Sequence, residues 1–342
     1  MTPLDYEYLR KLLKERSGLD LSADKQYLVE SRLLPLARRS NLAGIPELVQ
    51  RMKGGAELLT SEVVEAMTTN ETFFFRDKIP FDHLKEAVLP ALAQARAARR
   101  SLRIWCAASS TGQEPYSIAM LLKEMTALFA GWRIEIVATD LSQAVLEKAK
   151  AGLFSQFEVQ RGLPIQLLVK YFVQQGELWQ LNADIRGMVQ HRQLNLLQDV
   201  SHLGTFDVIF CRNVLIYFDQ QTKAGVFGKV ARMLEPDGVL ALGAQLNLLQ
   251  DVSHLGTFDV IFCRNVLIYF DQQTKAGVFG KVARMLEPDG VLALGAAESV
   301  VGITNLFRPY PERRGLYQPN TAPVARAGAA LHVLKAVASA AR

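Results

Sequence analysis

A block of 52 residues occurs twice in this chain: residues 193–244 and 245–296 are identical letter for letter. Nothing else in the sequence restricts the fold as strongly. Two copies are too few for a solenoid, and natural repeats drift. Perfect identity therefore marks a recent tandem duplication, natural or engineered, or a fault in assembling the sequence. Removing one copy leaves about 290 unique residues of the 342, enough for two domains of ordinary size. The two copies are interchangeable up to the point where they join the rest. The chain is expected to follow one fold into the first copy, extrude a copy's length, and resume in the second. Surface loops accept an extrusion at least cost, because closure entropy rises slowly with loop length. Residues 198–205 and 235–238, with their twins, are the candidate loops. The spare copy keeps apolar strands with no sheet to join, so edge pairing, association with another chain or partial disorder is expected of it.

Hydrophobic residues make up 49% and charged residues 21%, which is globular composition and excludes wholesale disorder. A net charge of +5 is mild, so no nucleic-acid partner is expected. Of three cysteines, Cys211 and Cys263 are one position written twice. No disulfide framework or zinc spacing results, and no metal is expected. The opening MTPLDYEYLRKLLKERSG is charged from its fifth residue, and no apolar run approaches ~18 residues. A cytoplasmic protein without direct membrane insertion is the expectation.

Residues 1–89 read as a helical domain and linker. Tyr8, Leu9, Leu12 and Leu13 recur at helical spacing before Gly18, and a second helix is predicted from about Asp24 to Arg39. Lys25, Arg32 and Arg39 stand seven apart on it, with Arg38 beside them. Such a stripe is ordinarily a solvated face; its alternative is a docking surface for an acidic helical partner. From Leu102 the texture changes. RIWCA, IEIVATD, FDVIFCRN and GVLALGA are short Val- and Ile-rich runs separated by helical stretches, so residues 90–318 are predicted to form an α/β domain with a mainly parallel sheet. A small subdomain is expected to be inserted at 152–192, with LPIQLLVKYF a helix and ELWQLNADIRGMVQHR a hairpin. Residues 319–342 form an Ala-rich tail.

Four segments suggest chemistry. IWCAASSTGQEPYSIAM is a strand leading through small residues and Gly112 into a helix, an arrangement that brings a ligand to backbone N–H groups, though GxGxxG is absent. Asp140 ends the next strand and can accept bonds from both ribose hydroxyls; otherwise Asp140 or Ser142 simply caps the helix after it. In MTTNETFFFRD the polar residues Asn70, Thr72 and Arg76 interleave with three phenylalanines, as core and cap or as a linker closing over a ligand. In FDVIFCRNVLIYFD, Asn213 stands at a strand tip and Tyr217 near the mouth, where half-buried core is the competing reading.

Taken together, TTNETFFFRD, WCAASSTGQEPYSIAM, ATDLS, LNLL, IFCRNVLIYFD and LEPDGVLALGAAES resemble, in order, the CheR-type chemoreceptor glutamate methyltransferases over roughly Leu4 to Tyr317. The resemblance implies an all-α N-terminal domain and then a Rossmann-like domain that binds S-adenosylmethionine (SAM), with an inserted small β-subdomain. It also implies methyl transfer to glutamates of chemotaxis receptors, whose helical cytoplasmic domain is the partner, with S-adenosylhomocysteine (SAH) as product. By position, Asn70, Thr72 and Arg76 correspond to linker residues that contact SAM, Glu114 to the acid at its methionine portion, and Asp140 to the ribose acid. Asn195 and Leu196 fall on the adenine side, Asn213 and Val214 at the fourth strand's tip, and Tyr217 near the transferred methyl. Lys25, Arg32, Arg38 and Arg39 correspond to the receptor-docking surface.

Gln113 stands where the family often has a second acid, and Phe154 where a tyrosine is usual. The duplication supplies a second set, Asn247, Leu248, Asn265, Val266 and Tyr269, and the sequence does not choose between them. Two rival readings stay open: a SAM enzyme acting on RNA or a small molecule, and a SAM- or receptor-binding module with impaired catalysis.

Overall fold

The computed structural model describes residues 1–242, 258–263, 271–294, 299–310 and 315–320. The second set of site residues, Asn247, Leu248, Asn265, Val266 and Tyr269, lies outside them, as do all but two residues of the Ala-rich tail.

The chain begins with four helices, α1 (Pro3–Ser17), α2 (Gln26–Arg39), α3 (Ile45–Lys53) and α4 (Glu57–Met67). Thr2 and Asp5 form a capping box at the start of α1, and Gly18 ends it in the left-handed region at φ 79°. Leu9, Leu13, Val29, Leu33, Leu48 and Val63 build a core of their own, which ends at Met67. Lys25 belongs to a short 3₁₀ turn, Ala23–Lys25, so α2 starts two residues later than its predicted Asp24. Helices α5 (Ile79–His83) and α6 (Leu89–Ala95) are joined by a π-helical turn. Phe81, Leu84, Val88 and Leu92 from this stretch pack into the sheet's core, not the helical one. By packing, the helical unit therefore ends near Thr68, and the residues from there to 89 are the linker and the first helices on the sheet's core.

Strand β1 (Ser101–Ala107), helix α7 (Gln113–Glu124), strand β2 (Arg133–Asp140) and helix α8 (Gln143–Ala151) keep the predicted alternation. The insertion holds β3 (Leu153–Ser155), α9 (Gln156–Gln160), α10 (Ile165–Tyr171), β4 (Phe172–Gln175), β5 (Leu178–Leu181) and α11 (Ala183–Arg186). Its three strands form an antiparallel sheet in the order β3-β5-β4. The hairpin thus pairs Phe172–Gln175 with Leu178–Leu181 around Gly176, upstream of where sequence alternation placed it. The subdomain also ends earlier than residue 192. Strand β6 (Val189–Gln193) lies parallel to β2 in the main sheet.

Next come β7 (Phe206–Cys211), α12 (Gln220–Ala231) and β8 (Leu234–Leu242), all from the first copy of the repeat. They complete a five-stranded parallel sheet in the order β6-β2-β1-β7-β8. Buried Asp207 fastens this copy in place, accepting bonds from Arg96 Nε at 2.9 Å, from the Arg103 backbone N–H at 2.9 Å and from Arg99. The second copy repeats the unit as β9 (Phe258–Cys263), α13 (Gln272–Met285) and β10 (Leu286–Leu294). The terminal strands β11 (Phe307–Pro309) and β12 (Leu316–Pro319) pair with it, giving a separate sheet in the order β11-β12-β10-β9. This corrects the expected extrusion. Among the described residues the chain does not resume in the main sheet, and neither 198–205 nor 235–238 is the exit. The first copy runs through β8 in full, and the second nucleates its own sheet with the strands next in the chain. Local pairing closes the shorter loop.

Candidate active site

The carboxyl ends of β1, β2 and β7 open into one pocket beneath the linker from the helical domain. Parallel α/β sheets place ligands at this edge. The loop after β1 is under conformational strain: Ala108 (φ 57°), Ser110 (φ 51°) and Gly112 (φ 95°) all sit in the left-handed region. Glycine holds such an angle without cost, whereas Ala108 and Ser110 are strained by it, and strain of this kind gathers at ligand sites. At Gly112 a Cβ would lie 2.8 Å from the Tyr116 ring, so a side chain is excluded there.

Glu114 lies in the first turn of α7. Its carboxylate accepts from Arg212 Nη1 at 2.9 Å, while Arg212 Nη2 donates to Asp77 Oδ2 at 2.6 Å and to the Arg76 carbonyl at 2.9 Å. Burial pushes the Glu114 pKa above its usual 4.5, and the Arg212 guanidinium opposes this. Asp140 ends β2 with one oxygen accepting from the Ser110 N–H at 2.8 Å and the other from the Ser142 N–H at 3.0 Å. Its pKa too is raised by burial, against the pull of these N–H groups. The helix cap is Ser142, whose hydroxyl accepts from the Val145 N–H, so Asp140 is not spent as a cap.

Asn70, Thr72 and Arg76 line the pocket from the linker. The Asn70 carbonyl accepts from Ser110 Oγ at 3.0 Å, which ties linker to loop. Arg76 donates to the Glu71 carbonyl at 2.6 Å and lies over the Phe73 ring; among the described residues it makes no carboxylate contact. Phe74 is fully buried, so the phenylalanine run is partly core.

Asn195, Leu196, Asn213, Val214 and Tyr217 form the opposite wall. All belong to the first copy. Asn213 adopts φ 55°, a conformation asparagine tolerates. Tyr217 is half-buried, and no described residue bonds its hydroxyl. The Asn195 side chain is engaged elsewhere, donating to the Arg16 carbonyl at 2.7 Å and accepting from the Leu197 N–H at 2.9 Å. Its amide therefore latches the helical domain to the sheet. Asp20 N–H to the Tyr217 carbonyl (2.8 Å) and Lys14 to Asp219 (3.4 Å) extend that latch.

On α2, Arg38 and Arg39 are exposed. Arg32 is not free. It donates to the Met67 carbonyl at 2.6 Å and the Thr68 carbonyl at 3.0 Å, anchoring the start of the linker. Lys25 lies 3.7 Å from Asp24. These four therefore do not form one equivalent patch. Sequence reasoning gives Arg212 the end of a strand and no role, although an arginine closing the apolar run FDVIFC must find acids when buried.

Comparison with known proteins agrees with this geometry. Residues 4–68 match the CheR methyltransferase all-alpha domain, and residues 70–245 match the CheR methyltransferase SAM binding domain. The chain belongs to the CheR methyltransferase family. A second match to the SAM binding domain covers residues 243–316, so the second copy and the residues after it read as a further part of the same domain. The chemotaxis protein methyltransferase 1 of Pseudomonas aeruginosa is 43% identical over 273 residues, 78% of this chain and 97% of the relative. The chemotaxis protein methyltransferase of Vibrio parahaemolyticus is 38% identical over 269 residues (78% and 96%), and that of Borreliella burgdorferi 35% over 243 residues (69% and 85%).

The protein is thus a SAM-dependent methyltransferase of chemotaxis. Its pocket fits the cofactor chemically. It offers two carboxylates for an ammonium group and a ribose, Asp140 buried and Glu114 13% exposed at its side chain, and two buried polar atoms without partners, Ser109 Oγ and Arg212 Nε, stand on residues of its wall. When bound, SAM supplies an electrophilic methyl group on sulfur. Among the described residues no cluster could hold a metal ion, and no helix is long and apolar enough to cross a membrane.

Proposed function

We propose that this CheR family enzyme methylates glutamate side chains on the helical cytoplasmic domain of chemotaxis receptors, as a cytoplasmic protein. The observation that carries the reading is the single pocket in which Glu114, Asp140 and the free Tyr217 hydroxyl converge under the linker. Glu114 would hold the methionine portion of SAM, with Arg212 fixing its carboxylate. Asp140 would take the ribose hydroxyls, Leu196 would pack against the adenine, and Asn213 and Val214 would shape the methyl end. Asn70, Thr72 and Arg76 would close over the ligand. A glutamate of pKa ~4.3 is already ionised at neutral pH, so the acceptor needs no general base. The protein's task is alignment, which can supply ~7–11 kcal/mol of the barrier. Tyr217 would orient the incoming carboxylate through its hydroxyl.

Receptor docking falls to α2. Exposed Arg38 and Arg39 at one end of α2 and Lys25 just before its other end provide positive charge, and Tyr27 and Leu34, 62% and 38% exposed, add apolar contacts at a spacing of seven. Arg32 contributes indirectly, by holding the linker. Association with other chains through the second copy's sheet is part of the same reading.

The test is transfer of labelled methyl from SAM to a receptor cytoplasmic fragment. A base-labile ester, lost when the accepting glutamates are changed to glutamine, is the expected result. Base-stable label, or label on another acceptor, would overturn it. Arg38→Glu with Arg39→Glu should raise KM for the fragment about tenfold and leave the Kd for SAH unchanged.

A further inference from the structure

The terminal hairpin β11–β12 has two chemically identical edges available to it, and the structure shows it on one. On β10, Leu292 lies opposite Tyr317 and Ala293 opposite Leu316, and the Leu294 N–H donates to the Gly315 carbonyl at 2.7 Å. Under this hairpin Val291 and Leu292 are 1% and 0% exposed. Strand β8 has the same nine letters, LEPDGVLAL, and ends the main sheet with no strand on its outer edge among the described residues. Its Val239 and Leu240, twins of Val291 and Leu292, are half-buried only. The helices behind the strands match as well. Phe279 on α13 meets Phe307 edge-on at 6.0 Å, and its twin Phe227 occupies the same place on α12.

We propose that the outer edge of β8 is a second seat for this chain's own β11–β12 hairpin, which exchanges between β8 and β10. The strand and helix offered at the two seats carry the same residues, so the connecting loop is what first separates them. About 12 residues separate Leu294 from Phe307, and about 64 separate Leu242 from it. Closure entropy then favours β10 by roughly tenfold. The β8 seat is a minor state in which the main sheet gains two strands and the second copy is left as the excluded loop.

Paired cysteines separate the two. Ala293 and Leu316 occupy a non-hydrogen-bonded antiparallel position, where Cα atoms approach to ~4.5 Å, within disulfide reach. Ala293→Cys with Leu316→Cys reports the β10 seat, and Ala241→Cys with Leu316→Cys the β8 seat. Under mild oxidation both full-length variants should yield monomers carrying an internal disulfide, the β8 pair roughly tenfold more slowly. Adding Leu294→Pro, which removes the N–H that bonds Gly315, should speed the β8 pair several-fold. The same pair in a chain lacking residues 245–296 controls for geometry, since β8 is then the one seat left. Formation of that disulfide in the shortened chain but not in the full-length Leu294→Pro variant would overturn the proposal. So would a β8 disulfide found exclusively between chains, which would give the seat to a second copy of the protein. Circular dichroism of each variant shows that the fold survives substitution.

Discussion

Arg212 decides more than its place in the sequence suggests. Its side chain is 2% exposed and spans Glu114 and Asp77, so it neutralises a largely buried acid in the pocket wall. Removing one partner of such a pair leaves the other charge buried, which costs ~3–5 kcal/mol. Arg212→Met should destabilise by about that much and weaken SAH binding at pH 7. The sign of the pH effect comes from Glu114. Burial raises its folded pKa above 4.5, so in the free protein this group favours folding below the unfolded value and loses that contribution as pH rises. Binding an ammonium group needs the ionised form, so affinity should fall as pH drops through the raised pKa. Without Arg212 that fall should begin at higher pH. Calorimetric titration of SAH across pH 5–8, with Glu114→Gln as the control that loses the dependence, checks both signs. Tyr217→Phe should instead cut turnover about 10–100-fold with little change in SAH affinity, because it removes alignment and not binding. An unchanged kcat would remove Tyr217 from the reaction. Asp140 was legible as an acid at a strand tip beside the small-residue turn, and Glu114 through the family resemblance alone, since an acid in a helix's first turn ordinarily serves the helix dipole. The need of Arg212 for acids was legible from the apolar run before it, but its partners were not, because they come from residues 77 and 114, and contacts at that separation leave no local pattern.

Elements explain where periodicity succeeded and where it failed. Strands β1, β2, β7 and β8 were read from apolar runs because a parallel sheet is buried on both faces. The insertion was misread in detail. Leu178–Leu181 alternates, yet its partner is the Phe172–Gln175 stretch, and Val189–Gln193 returns to the main sheet. Alternation marks a strand's faces and says nothing about its partner. The same limit hid the latch between α1 and the first copy. Gly18 closes α1 at φ 79°, and a Cβ there would stand 2.9 Å from the Phe218 ring. Gly18→Ala is therefore expected to cost ~1–2 kcal/mol for the backbone conformation alone, with a further loss where the two elements meet. Since Asp20 bonds the Tyr217 carbonyl beside this contact, the variant should also raise the Kd for SAH. Chemical denaturation and calorimetry on one preparation measure both. A loss of stability with affinity intact would show that the latch does not shape the pocket.

At the scale of the whole molecule the duplication is a problem of allocation. Every element up to β6 is present once, whereas the unit Phe206–Leu242 is present twice and the terminal hairpin once. Sequence identity made the copies interchangeable on paper. The structure breaks the tie through groups that are not duplicated: Asp207 meets Arg96, Arg99 and the Arg103 N–H, Asn195 meets the Arg16 carbonyl, and Asp219 meets Lys14. These contacts fix the first copy in the pocket wall, and the second copy holds the hairpin by proximity. Deleting residues 245–296 should therefore leave the pocket intact and give the hairpin to β8. Full-length and shortened proteins are both expected to bind one SAH per chain with Kd values within about threefold, since no pocket residue is removed. Their stability should differ. The shortened chain has one sheet and one cooperative core, and burying Val239 and Leu240 further adds about 25 cal/mol for each Å² of apolar surface. Its unfolding should be a single transition, where the full-length protein, with two separate sheets, melts in two steps and binds an apolar dye more strongly at its open strand edges. Calorimetric unfolding of the two proteins side by side reads this directly. One sharp transition in the full-length chain, matching the shortened one, would mean that the second sheet is coupled to the first and that the copies fold as one body.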